Sequence, residues 1–429
     1  PPIVLPLGRG IGGTTLVNSG TCFRTPPKVL RRWREEYGLD LDEVEMGRCF
    51  QRVERSLSVA EVTPELAGGN AAVARRGAER LGWSHGYLKR NARGCVGSGV
   101  CVFGCPTSAK QHTGITYIPR ARSAGARVLS GCEVREIRVA GGQVRGVLAR
   151  RGSDGGSVEV RASEVVLACG TIHTPLLMRR SGIADPSGQL GRNLSLHPAT
   201  AAFALMDEEV NMAVGVPQSF YVDEFARAGI MLEGVAGPPA YAAMSLPLSG
   251  ERHRRAMAAY PRLAQFGLMV SDSSRGRISV LAGRPVIHYD LDGQDLDRFR
   301  EGLARVQELF QAAGAREVYL PLPPRVRPAG ARAGDLRLMA FHPLGTARAD
   351  ARPGRGVTDG RLAVRGVNGL HIADGSVVPS ALGVNPQLTI MALATRLAFA
   401  LLDRPVPAPE DQGASSRPRQ NREESRCPS

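Results

Sequence analysis

Gly369-Leu370-His371-Ile372-Ala373-Asp374-Gly375-Ser376 reads as a short apolar strand that runs into an acidic, glycine-containing turn. In an open α/β sheet the ligand sits just past the carboxyl ends of the strands, so Ala373-Asp374-Gly375 marks a ligand-facing turn. Upstream, Phe341-His342-Pro343-Leu344-Gly345-Thr346 supplies a histidine; downstream, Gly383-Val384-Asn385-Pro386-Gln387-Leu388-Thr389 leads into the apolar segment Ile390–Leu402. There Ile390, Leu393, Ala394, Leu397, Ala398 and Leu401 recur at helical spacing, which predicts a helix with one face in a core. Asn385 ahead of Pro386 has the form of an N-cap before a proline at the first helical position. Its amide could equally reach into a cleft at the helix N-terminus, where backbone N–H groups favour anions. Taken alone, His342 reads as a packed histidine before a proline turn.

The same grammar recurs earlier in the chain. Glu164-Val165-Val166-Leu167-Ala168-Cys169-Gly170 is a buried strand ending in glycine, followed by a helix predicted over Thr174–Ser181. Strand, glycine turn and helix in this order suggest a dinucleotide-type fold. Short strands are predicted at Arg127–Leu129 and Glu133–Val139, with Gly141-Gly142 turning the latter into Val144–Arg150, and another at Val158–Val160. Near the start, Gly8-Arg9-Gly10-Ile11-Gly12-Gly13-Thr14-Thr15-Leu16-Val17-Asn18 is a glycine-rich turn. Its glycines permit positive φ and close approach to a ligand, and its N–H groups can cradle phosphate. It is not the G-x-G-x-x-G fingerprint. Helices are predicted over Pro27–Tyr37, Leu41–Leu57 and Ala71–Leu81.

From about Ala199 to Arg337 the character changes. Strand-like pieces at Phe266–Val270, Arg277–Val280 and Val286–Tyr289 lie among irregular loops. An amphipathic helix is predicted over Leu296–Ala313, with Phe299, Leu303, Val306, Leu309 and Phe310 on one side. This reads as an antiparallel-sheet unit inserted between parts of another. The tail from about Pro405 is rich in Pro, Ser, Arg and Glu, a composition that predicts disorder.

The 429 residues suffice for two domains with a sizeable core. The formal charge of +15 comes almost wholly from arginine, the lysines being Lys28, Lys89 and Lys110. The arginines are scattered with no basic run, which argues against a nucleic-acid partner. No apolar run is long enough to span a membrane, and without a secretory signal the expected location is the cytoplasm. Cys95, Cys101 and Cys105 lie in the loop Gly94–Pro106, but Ser98 interrupts an iron–sulfur spacing, so no metal site is expected.

These pieces, in this order, resemble the glucose–methanol–choline (GMC) family of flavin-dependent oxidoreductases. The resemblance rests on Gly8–Asn18, on Gly170-Thr171-Ile172-His173-Thr174-Pro175 through Ser181-Gly182-Ile183, and on His342, Ala373-Asp374-Gly375 and Asn385-Pro386. It implies an α/β FAD-binding domain, Rossmann-like and discontinuous, with an inserted α+β substrate domain built on an antiparallel sheet. The expected boundaries are 1–195 and 340–404 for the FAD-binding domain, 196–339 for the substrate domain and 405–429 for the tail. The family's opening βαβ unit has no counterpart upstream of Gly8, so 1–195 is expected to be N-terminally incomplete. The resemblance further implies oxidation of a small-molecule alcohol to an aldehyde or ketone, with FAD as cofactor and oxygen or another electron acceptor. His342 matches the catalytic base and Asn385 its hydrogen-bonding partner. Gly12, Gly13, Thr14 and Asn18 match positions along the flavin. Val134 matches the adenine side; Gly170, Asp374 and Gly375 complete the cofactor positions. The His-Pro-Leu-Gly form and the Cys-rich loop resemble the sterol and long-chain-alcohol branch. The alternative is a catalytically silent remnant or a non-enzymatic binding protein.

Overall fold

The computed structural model describes residues 2–281 and 284–408. Of the tail predicted to be disordered, 405–429, residues from 409 onward, Cys427 among them, lie outside the described residues; Val406, by contrast, is buried in the first of the cores described below.

Two hydrophobic cores dominate. The first is built by helices Pro27–Tyr37, Glu43–Ser56 and Gln387–Leu401 around the parallel strand pair Val165–Leu167 and Leu370–Ile372. Trp33, Met46, Cys49 and Val53 have essentially no exposed surface here. The register Leu370↔Val165, His371↔Val166, Ile372↔Leu167 brings both strands' carboxyl ends, Ala168-Cys169-Gly170 and Ala373-Asp374-Gly375, side by side. The two ligand-facing turns read separately from the sequence are thus one structure. A three-stranded antiparallel sheet, Cys132–Ala140, Gln143–Arg151 and Ser157–Arg161, flanks this pair.

The second core lies under a predominantly antiparallel eight-stranded sheet. Its central strands are Ala199–Leu205, Leu263–Val270 and Ile230–Gly234, paired in that order. Every residue of Leu263–Val270 is buried, as a central strand covered on both faces must be. Helix Gly293–Ala312 packs on it through Phe299, Leu303, Val306, Leu309 and Phe310, the stripe its sequence period predicts. Helix Pro64–Leu81 and strand His85–Tyr87, which precede this part of the chain, also join this core and sheet.

Several local expectations are corrected. Helix Pro64–Leu81 starts seven residues earlier than its apolar period suggested, because Pro64 fits the first helical position; it kinks at Gly68, whose φ is +77°. Helix Gly170–Arg180 likewise starts at the glycine itself. No strand forms at Arg127–Leu129: this stretch is solvent-exposed and pairs with no strand among the described residues. Arg277–Leu281 and Arg284–His288 make a separate hairpin instead of joining the large sheet. Asn385 is not a helix cap. Pro386 occupies that position without a side-chain bond, and the helix runs Gln387–Leu401, leaving the Asn385 amide for other partners. No helix among the described residues is long and apolar enough to cross a membrane.

Candidate active site

A cleft of about 2680 Å³ runs between the two cores, several times the roughly 300–1,000 Å³ of a drug-sized ligand site. Its walls include Gly12, Gly13, Thr14, Asn18, Val134, Gly170, Asp374, Gly375, His342 and Asn385. Every site residue expected from the sequence therefore meets in one cavity.

The floor is assembled by Asp374. Its carboxylate accepts from Gly170 N (2.9 Å), Thr174 Oγ1 (2.5 Å) and Ser376 N (2.8 Å). One buried acidic side chain thus ties the ends of both parallel strands to the start of a helix. Gly375 is forced by space: a Cβ there would stand 2.7 Å from Thr171 Oγ1 and 3.0 Å from Pro343 O. The Gly8–Asn18 turn closes through Gly13 N→Gly10 O (2.9 Å) and Asn18 N→Thr14 O (2.9 Å). Gly13 has φ +53° with open space where a Cβ would stand. Beneath the turn, the buried Lys110 donates to the carbonyls of Leu16 (2.7 Å), Asn18 (2.7 Å) and Cys101 (2.9 Å), and burial lowers its pKa to about 8. Asn18 donates to Gln387 Oε1, while its own Oδ1 is buried without a partner among the described residues. Gln387 is a cleft residue that the sequence reading did not single out.

Proton chemistry has its candidates where the cores meet. Asn385 Nδ2 lies 3.4 Å from His342 Nε2 and 3.4 Å from Glu233 Oε2. The segment bearing His342 is fixed by reciprocal backbone bonds between Leu344 and Ser195 and by Thr171 Oγ1→Pro343 O (2.6 Å). Burial holds the His342 pKa well below its ordinary value, so the ring is neutral. Glu233 stands in the middle of the central sheet, on Ile230–Gly234. Burial raises its pKa to about 7, against the opposing hydrogen bond from Asn385. Its Oε1, Asn385 Oδ1 and His342 Nδ1 are buried without partners among the described residues. His197 also lines the cleft, with its ring edge-on to His342 at 5.4 Å between centroids.

Glu233 and His197 were missed by sequence reasoning. A signal for Glu233 was present: a lone carboxylate in the apolar run Ile230-Met231-Leu232-Glu233-Gly234 is costly to bury without purpose. The cysteine loop presents no comparable constellation. Cys95, Cys101 and Cys105 are unbridged, and no group of side chains suited to a metal ion occurs among the described residues.

FAD fits these residues. The cleft has volume enough for a dinucleotide, and the open face at Gly13 lets a planar ring approach backbone. The unpartnered Asn18 Oδ1 supplies an acceptor for a ring N–H.

The likenesses to known proteins agree. Residues 1–199 and 272–394 match the N- and C-terminal domains described as GMC oxidoreductase. An uncharacterized GMC-type oxidoreductase of Mycobacterium tuberculosis, Rv0492c, is 41% identical over 93% of this chain; the chain spans 65% of that relative's length. The long-chain-alcohol oxidase FAO4A of Arabidopsis thaliana is 26% identical over 94% of this chain and 60% of its own. The crystal structure of pyridoxine 4-oxidase from Mesorbium loti superposes with a TM-score of 0.73, covering 93% of this chain and 85% of that one at 20% identity. With a large cleft between an α/β core and an antiparallel-sheet core, and with both family domains matched in order, the chain belongs to the GMC oxidoreductase family, whose members are FAD-dependent flavoproteins.

Proposed function

We propose that this chain is the working part of an FAD-dependent oxidase or dehydrogenase that converts an alcohol to an aldehyde or ketone. The observation that carries the reading is the convergence of His342 Nε2, Asn385 Nδ2 and Glu233 Oε2 in the cleft, with Asn385 3.4 Å from each of the others. Bound FAD supplies the hydride acceptor. Gly12, Gly13, Thr14, Asn18, Gly170, Asp374 and Gly375 would hold it, with Val134 toward the adenine end.

The protein's own contribution is proton handling. A neutral His342 has an unprotonated ring nitrogen, Nε2, to take the hydroxyl proton. Asn385 steadies the negative charge that grows on the alcohol oxygen as that proton leaves, since its amide donates and does not titrate. Glu233 modulates the pair. Once ionised, it favours the imidazolium that His342 becomes, so raising the pH through about 7 strengthens the base.

The substrate class we infer is a lipophilic alcohol. Val102, Phe103, Tyr241, Met244, Val235 and Ala236 line one part of the cleft, and Phe103 packs edge-on against Tyr241. The relation to a long-chain-alcohol oxidase supports the same choice. The test is anaerobic flavin bleaching by purified, flavin-loaded protein with a series of primary alkanols. Each added CH2 is worth about 0.8 kcal/mol when buried, or about fourfold in kcat/KM. A flat chain-length series would remove the lipophilic assignment; no bleaching by any alcohol would remove the oxidation itself.

A further inference from the structure

His197 lies outside the three-residue constellation yet touches the supports of two of its members. Its side chain is fully buried. Nε2 accepts from Leu382 N (2.8 Å) and Gly383 N (3.2 Å), in the turn that leads to Asn385. Two N–H groups aimed at one ring nitrogen require that nitrogen to be unprotonated, which places the proton on Nδ1. The ring simultaneously stands edge-on to His342 at 74°. Other side-chain ties to this turn, from Arg32 and Trp33, stop at Ser380 and Ala381.

The backbone shows that this placement is imposed. His197 has φ +47°, in the left-handed region, which is sterically unfavourable for a non-glycine residue. The strain is held by the buried Asp272. Its carboxylate accepts from Ser195 Oγ (2.7 Å), Leu196 N (3.0 Å), His197 N (3.1 Å) and Tyr289 Oη (2.8 Å). Four donors on one carboxylate clamp the segment that presents the ring.

We propose that His197 is a positioning residue, a neutral imidazole locked as the Nδ1–H tautomer that holds the Leu382–Gly383 turn and thereby sets Asn385 against His342. The proposal rests on the reading that His342 and Asn385 handle the substrate proton. Burial, then Arg275 and Arg32, lower the His197 pKa to about 3. The ring therefore keeps its acceptor nitrogen, and adds no charge beside His342, throughout the working pH range.

Two variants of the flavin-loaded protein test this. In His197→Gln the side-chain Oε1 reaches about as far as Nε2 and accepts the same two N–H groups; in His197→Leu nothing does. Two readouts are used: amide hydrogen exchange at Leu382 and Gly383 without substrate, and anaerobic flavin reduction by alcohol. His197→Leu should exchange both amides at least about tenfold faster and reduce roughly 10²-fold more slowly, the loss expected for a misplaced donor, with KM within about threefold. His197→Gln should keep parental exchange and most of the rate. Parental exchange in a folded His197→Leu protein, or equal rate losses in the two variants, overturns the proposal. Should His197→Leu fail to fold, the Gln variant decides: parental amide protection sustains the assignment and lost protection overturns it. Faster exchange in His197→Leu together with a fully active His342→Ala protein would overturn the catalytic reading, and with it the claim that the turn serves His342.

Discussion

Asn385 presents its amide nitrogen to Glu233 at 3.4 Å, although 152 residues separate them and each belongs to a different core. Asn385 stands one residue ahead of the helix Gln387–Leu401 cap, and Glu233 is the fourth of the five residues of a buried strand. The contact closes the cleft around His342 and gives the site a titratable group that the family resemblance did not predict.

His342→Ala is expected to lose flavin reduction by about 10²–10⁴-fold, the usual worth of a general base, while retaining FAD. Raising the pH should restore part of the rate, because the alkoxide then forms without help. Anaerobic stopped-flow bleaching checks this; a parental rate in the variant would show that the base is another group.

Asn385→Ala is expected to slow reduction by about 10²–10³-fold without fraying the helix that follows it. No side-chain cap is lost, because Pro386 holds the cap position without one. Removing the amide also takes away the one interaction that lowers the Glu233 pKa. The pH–rate profile should therefore move to more alkaline pH. Circular dichroism together with that profile distinguishes this from simple unfolding.

Glu233→Gln makes a stability prediction with a definite sign. A carboxyl raised from 4.5 to about 7 by burial binds its proton more tightly folded than unfolded. Stability is therefore lost as pH rises from about 4.5 to 7 and is level beyond that. The shift of about 2.5 units corresponds to at most on the order of 3 kcal/mol. The Gln variant should match the parent near pH 4 and exceed it above pH 7, while losing the rise of reduction rate through neutrality. Denaturant unfolding at the two pH values measures the difference.

Asp374→Ala is expected to cost about 2–4 kcal/mol, because it leaves Gly170 N, Thr174 Oγ1 and Ser376 N without their acceptor in a buried place. FAD retention should fall with it, since the same carboxylate aligns the two turns of the cleft floor. Asp374→Asn keeps part of the acceptor set and should lie between. Denaturant unfolding and flavin content after gel filtration report the two losses separately.

Much of the site was legible because its residues sit in short local grammars. A strand ending in Ala373-Asp374-Gly375, a glycine turn at Gly8–Asn18 and a proline after Asn385 can each be read from neighbours in sequence. What the sequence did not show is pairing across distance. The partners of His197 lie 185 and 186 residues away, at Leu382 and Gly383, and nothing near Ser195-Leu196-His197-Pro198 announces them. At Asn385 local grammar left two readings open, a cap or an amide reaching into a cleft, and only the tertiary structure decides between them, placing the amide between His342 and Glu233. The strand expected at Arg127–Leu129 failed for a third reason: its residues have strand composition but no partner strand among the described residues, and unpaired backbone takes its hydrogen bonds from water.

Because the cleft is a seam between two cores, its chemistry exists only while they are docked. His342 and Asn385 lie on one side and Glu233 on a strand of the other. Cores joined across a ligand-sized gap can part before either melts. Reduction rate is then a thermometer for the seam: on heating, turnover should fail several degrees below the loss of helix and strand signal. FAD, which would be held in this cleft, should draw the two temperatures together when added.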